Sequence, residues 1–160
     1  MSYTTPSSPV PNINPTSIFN PAARPITQGQ PDLYTYTADF LALAPNAVQT
    51  FIIQIDASAQ FLWTAASFQA CQTIGTSTYT WTSNPIPLVR ILITDTGSAK
   101  QLMSNPVYIN SMASSNNGPL RNIHPRFFDK SSAIQIQATS DDGTTWAHLQ
   151  LNLIGFRIYG

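Results

Sequence analysis

Two histidines, His124 and His148, one cysteine, Cys71, and seven carboxylates, all aspartates, are the first candidates in this 160-residue chain for proton transfer or metal binding. Acyl transfer by a serine needs a nucleophile, a base and an orienting acid. The chain has no G-x-S-x-G elbow, and its serines fall in loop-like runs such as Ser111 to Ser115. Glycoside cleavage wants two carboxylates across a cleft. Asp56, Asp95, Asp141 and Asp142 instead stand in turn-like contexts, where aspartate hydrogen-bonds to the backbone just ahead of it. A zinc site is equally unsupported, because the histidines are isolated and Cys71 has no companion cysteine. Ser140-Asp141-Asp142-Gly143 lacks the further ligands of a calcium loop, and Asn117-Gly118-Pro119 reads as a plain loop. The expectation is a non-enzyme with no catalytic, cofactor-binding or metal-binding residues.

Three tryptophans remain. Aromatic faces stack on sugars, and Trp63, Trp81 and Trp146 suggest a glycan platform. Trp63 alternates in phase with Phe61 and so belongs to a core, which leaves Trp81 and Trp146 for a carbohydrate-binding alternative. His148 shares parity with Gln150 and Asn152 and is expected on a polar face. Arg90, between Leu88 and Leu92, needs a counter-charge, for which Asp95 and Asp129 are the candidates.

The elements that would carry these residues are strands. Ile134, Ile136 and Ala138 alternate with Gln135, Gln137 and Thr139; after the turn at 140–143, Leu149, Leu151 and Leu153 alternate with Gln150 and Asn152. Period two with polar partners means one face buried and one wet, and the pair reads as a terminal β-hairpin. Beyond Leu153 the apolar positions shift to Ile154, Phe156 and Ile158, with Gly155 at the change. A bulge at Ile154-Gly155 or a strand end buried on both faces accounts for that. Val48 to Ile55 and Gln60 to Phe68 read as a second hairpin around Asp56-Ala57-Ser58-Ala59, with Ala65 to Cys71 open to a short helix on propensity. Leu88 to Thr94 is a dense apolar strand, Gln101 to Ile109 its partner interrupted at Asn105-Pro106, 110–119 a long loop, and Leu120 to Lys130 irregular. Short strands, frequent turns and no amphipathic helix predict an all-β fold: an antiparallel, jelly-roll-like β-sandwich over residues 32–160.

Residues 1–31 differ in texture. Seven prolines from Pro6 to Pro31 exclude helix and central strand, so an extended arm is expected, with Ile13, Ile18, Phe19 and Ile26 as its apolar anchors. Such an arm orders only by lying on its own body or on a neighbour. Only 9% of residues are charged, none of them glutamate, which suits a surface covered by partners. Zero formal net charge with no basic stripe argues against nucleic acid, and no apolar run approaches the ~18 residues of a membrane span.

The run Ile55-Asp56-Ala57-Ser58-Ala59-Gln60-Phe61-Leu62-Trp63, then Pro87 to Ser98, Leu102 to Val107 and the final stretch ending Ile154-Gly155-Phe156-Arg157-Ile158-Tyr159, resembles small accessory virion proteins of tailed bacteriophages over residues ~20–160. The resemblance implies a β-sandwich subunit that decorates or cements the head or sits at the neck or collar. It implies contact with major capsid or neck proteins in the virion after synthesis in the host cytoplasm, and together with the sparse charge and proline-rich arm the expectation is a homo-oligomer. It assigns no active residues.

Overall fold

The computed structural model describes residues 31–74, 78–81, 86–115 and 119–160. Among these residues ten strands form two antiparallel sheets: β1 (Pro31–Leu43), β2 (Val48–Gln54), β3 (Ala59–Ile74), β4 (Thr78–Trp81), β5 (Val89–Asp95), β6 (Lys100–Gln101), β7 (Val107–Tyr108), β8 (Leu120–Phe128), β9 (Ala133–Ser140) and β10 (Trp146–Tyr159). One helical turn, α1 (Ile109–Met112), follows β7. Pairing is nested: β1 with β10, β2 with β9, β3 with β8, and β5 with both β6 and β7. The β1–β10 and β3–β8 pairs share the first sheet, joined through β10–β3, and the other pairs share the second, joined through β9–β5. That wrapping is a jelly roll. The short β4 adds to the far end of β3.

The core is the seam between the sheets. Ala38 and Phe40 of β1, Phe61 and Phe68 of β3 and Leu149, Leu151 and Leu153 of β10 face Ile53 of β2, Ile91 and Ile93 of β5 and Ile134, Ile136 and Ala138 of β9, all buried. Each large aliphatic or aromatic residue so buried contributes roughly 1.5–3 kcal/mol.

The two expected hairpins are corrected. The inward residues are the expected ones, yet β9 and β10 do not pair with each other; they lie in opposite sheets. The same holds for β2 and β3. Residues 141–145 and 55–58 are therefore arches that cross from sheet to sheet, a gap of ~10 Å that four or five residues span easily. The first arch is held by bonds to other elements: Ser140 N–H donates to Ala47 O at 2.9 Å and Asp141 N–H to Leu88 O at 2.8 Å. The helical option for Ala65 to Cys71 is also corrected, since β3 runs unbroken to Ile74. There Phe68 packs inward while Ser67 and Gln69 pair with Asn152 and Gln150. Both short partner segments of β5 form where expected, on either side of Asn105-Pro106. Leu120 to Phe128 is an edge strand rather than irregular chain. Its register slips between Arg121, opposite Ala65, and Arg126, opposite Trp63, so that Asn122 to Pro125 bulge against Thr64 alone.

Candidate subunit-contact surface

The unexpected shift of apolar residues at the end of β10 has a definite cause. The register between β10 and β3 does change at Ile154/Gly155, but the extra residue is Thr64 on β3: Ile154 pairs with Ala65 and Gly155 with Trp63. Thr64 Oγ1 donates to Ile154 O at 3.2 Å. Across this bulge the inward set of β3 changes from Ala66 and Phe68 to Phe61 and Trp63, while β10 keeps its odd residues inward. Ile154, Phe156 and Ile158 consequently face outward. Gly155 is required at the step, because a Cβ there would stand 2.0 Å from Leu62 O.

Registers then align a single apolar row across the outside of the first sheet. Leu33 of β1 pairs with Phe156 of β10, Phe156 with Leu62 of β3, and Leu62 with Phe127 of β8. Leu33 is 68% exposed and Phe127 59%; Phe156 and Leu62 are half-buried between them. Ile154 and Ile158 flank the row. Beneath it lies an aromatic layer: Tyr34 on Tyr36 at 4.7 Å, Tyr36 on Phe61 at 4.8 Å, and Phe61 stacked on Phe128 at 6.3 Å. The Arg157 guanidinium caps this layer 3.8 Å from the Tyr34 centroid and pairs with Asp56 at 3.3 Å and Asp32 at 3.5 Å. Burial holds the Tyr36 phenol above its ordinary pKa, opposed by the Asp56 N–H that donates to its oxygen.

The other half of the same outer face is mainly polar, with Leu41, paired with His148, its exposed apolar residue. Thr37 Oγ1 donates to Asn152 Oδ1 at 2.8 Å, Asn152 Nδ2 to Ser67 Oγ at 3.3 Å, and Gln150 Nε2 to Asp39 Oδ2 at 3.3 Å. His148 sits on this face as expected, with Nδ1 3.6 Å from Asp39 Oδ2. Gln135 and Gln137 point to the outside of the second sheet, so the uncharged Gln and Asn set read as one wet side is divided between opposite faces of the sandwich.

Several of the described aspartates make local structural bonds. Asp95 accepts from Gly97 N–H at 3.0 Å and Ser98 Oγ at 2.6 Å, and Asp56 from Ser58 N–H at 2.8 Å. These Ser58 bonds hold the Asp56 carboxyl below its ordinary pKa. Arg90 meets Asp141, not Asp95 or Asp129, through two bonds of 2.6 and 2.7 Å, and Tyr108 Oη donates to the same carboxylate at 3.2 Å. The partner was misassigned because the arch returns Asp141 beside β5, a placement that sequence distance hides. Arg90 in turn holds Asp141 below its ordinary pKa. Asp142 accepts from the Trp146 indole at 3.1 Å.

Trp146 is fully buried in the core, so it offers no face for a sugar, which corrects its placement in the glycan alternative. Ala42 adopts φ 49°, turning Leu43 inward beside Trp146, and a register shift between Trp146 and His148 accompanies the inward indole. Trp81 lies on β4 opposite Cys71, and its side chain, like that of His124, is outside the described residues. Trp63 and Cys71 are core residues as expected. Ile13, Ile18, Phe19 and Ile26 also fall outside the described residues. Among the described residues no group of three or more His, Cys, Asp or Glu is placed to hold a metal ion, and no helix is long and apolar enough to cross a membrane.

No family model matches the chain, and no curated protein matches it. Among solved structures it is similar to a chain of the cyanophage Pam1 capsid asymmetric unit, with 14% identity over 93% of this chain and 99% of that one, at a TM-score of 0.47.

Proposed function

We propose that this chain is a structural component of a bacteriophage virion, an accessory protein that decorates or cements the head or forms part of the neck or collar through subunit contacts. The observation that carries the reading is the uncovered four-strand row of Leu33, Phe156, Leu62 and Phe127. A sandwich that needed only to be soluble would place polar residues there, as it does on the other half of the same face. Jelly rolls serve both capsid and lectin domains, so topology by itself does not choose between assembly and glycan binding. The glycan alternative retains Trp81 alone of its two stacking residues. Sparse charge, the proline-rich arm of residues 1–31 and the sequence resemblance to accessory virion proteins add support to assembly.

In this reading residues 32–160 are the body, and the arm lies on another subunit through Ile13, Ile18, Phe19 and Ile26. A protein inventory of purified particles tests it directly. Copies in the hundreds place the chain on the head and about a dozen at the neck; absence from particles refutes the proposal. Deletion of residues 1–30, which leaves every described strand in place, is expected to give a folded body that no longer enters particles. Normal incorporation of that truncated protein sinks the role of the arm.

A further inference from the structure

We infer that the apolar row across β1, β10, β3 and β8 is the seat for the N-terminal arm of a second copy of this chain, occupied by the arm segment that includes Ile13, Ile18 and Phe19; the inference rests on the assembly reading above. Chemistry matches first. The row Leu33, Phe156, Leu62 and Phe127 carries no charge, and residues 1–30 contain a single charged side chain, Arg24. A charged segment laid on this row would lose hydration without a counter-charge, whereas a Pro, Ser, Thr and Ile segment loses little.

Spacing matches second. Four adjacent strands put Leu33 and Phe127 three inter-strand steps apart, about 14 Å. In an extended, proline-rich chain at ~3.1 Å per residue, Ile13 and Ile18 are separated by roughly 15 Å. They therefore reach opposite ends of the row, with Phe19 beside Ile18.

The point at which the arm leaves the body selects the copy. Pro31 opens β1 in register with Ile158, at the margin of the apolar half, and a chain prolonging β1 backwards from Pro31 would lead away from the row, which runs across the strands. To cover its own row the arm has to reverse, and a four-residue turn uses the residues between Pro31 and Ile26. Ile26 then stands at the near margin and Ile18 roughly 25 Å further on, past the far end of the row. Run outward instead, the 13 residues from Pro31 back to Ile18 extend about 40 Å, enough to reach an adjoining subunit.

Disulfide trapping decides the matter, because the single natural cysteine, Cys71, is buried and leaves engineered thiols to report alone. Full-length Ile18→Cys protein is mixed with full-length Phe127→Cys protein and oxidised, with Ile52→Cys, an exposed position on the opposite face, as the reference. The expected result is a two-chain product containing both variants, on the order of tenfold or more above the Ile52→Cys mixture. Leu33→Cys in place of Phe127→Cys is expected to trap as well, which covers a folding defect in either variant. Equal trapping at Ile52 and Phe127, or none at Leu33 and Phe127, overturns the inference. So does a single-chain loop in the Ile18→Cys/Phe127→Cys double variant that persists on dilution, since the arm then covers its own body. Particle incorporation of the unaltered chain is scored separately, so incorporation without the Ile18–Phe127 link refutes this seat while leaving the assembly reading intact.

Discussion

Phe127 and Phe128 are neighbours in β8 with opposite fates, and replacing each in turn separates folding from assembly. Phe128 is 1% exposed, its ring stacked on Phe61 inside the sandwich. Truncation to alanine removes that contact and leaves a cavity, at a cost of about 3–5 kcal/mol. For a body of about 130 residues, an unfolding entropy of ~2.1 cal/mol/K per residue makes each kcal/mol worth roughly 3–4 °C, so Phe128→Ala is expected to lower Tm by about 10–18 °C. Phe127→Ser removes an exposed ring and is expected to move stability by no more than ~0.5 kcal/mol, or about 2 °C. Under the proposed assembly role its effect falls on association instead: the variant is expected to melt normally, to sediment as a smaller species and to be lost from particles. Calorimetry and sedimentation velocity on the two purified variants provide the comparison. If Phe127→Ser lowers Tm as far as Phe128→Ala does, the face assignment at the β3–β8 edge is wrong and the contact surface built on it falls.

Other substitutions probe the features that create this surface. Gly155→Ala places a Cβ against the backbone of Leu62 and is expected to destabilise by about 2–4 kcal/mol in urea titration; a midpoint within error of the parent would contradict the Thr64 bulge. Trp146→Phe keeps most of the buried volume but removes the indole donor to Asp142, for an expected loss of about 1–2 kcal/mol. As the single tryptophan of a Trp63→Phe/Trp81→Phe background, the Trp146 indole should in addition resist acrylamide quenching, and ready quenching would deny its burial. The carboxyls of Asp141 and Asp56 are held below their ordinary pKa, by Arg90 and by Ser58 respectively, so the stability they contribute is present above the ordinary aspartate range and fades as pH falls through the depressed values. Asp141→Asn is therefore expected to flatten the acid limb of a plot of urea midpoint against pH below about pH 4. An unchanged limb would show that the Arg90 pair does not form in solution.

Much of the core was legible because burial is written into period two. Ile134, Ile136, Ala138, Leu149, Leu151 and Leu153 all face inward as their alternation requires, and the turn aspartates Asp56 and Asp95 make the bonds that their type and spacing imply. Alternation, however, states only that one face of a strand is covered. It does not say whether the next strand lies beside it in the same sheet or opposite it in the other, since both arrangements bury the same residues. Hence two arches read as hairpins, and the partner of Arg90 was sought in the wrong turns.

The outward row was visible as a break in pattern and could not be interpreted from the chain alone. Ile154, Phe156 and Ile158 depart from the parity of Leu149, Leu151 and Leu153, and a local reading attributes the departure to a bulge in their own strand. The bulge lies 90 positions earlier, at Thr64, and its effect is to realign β3 rather than to turn β10. Composition and periodicity determined an all-β body with a buried seam and sparse charge. Pairing register between residues remote in sequence decided that four apolar side chains, drawn from the first, third, eighth and tenth strands, meet in one line on the outer face of the first sheet.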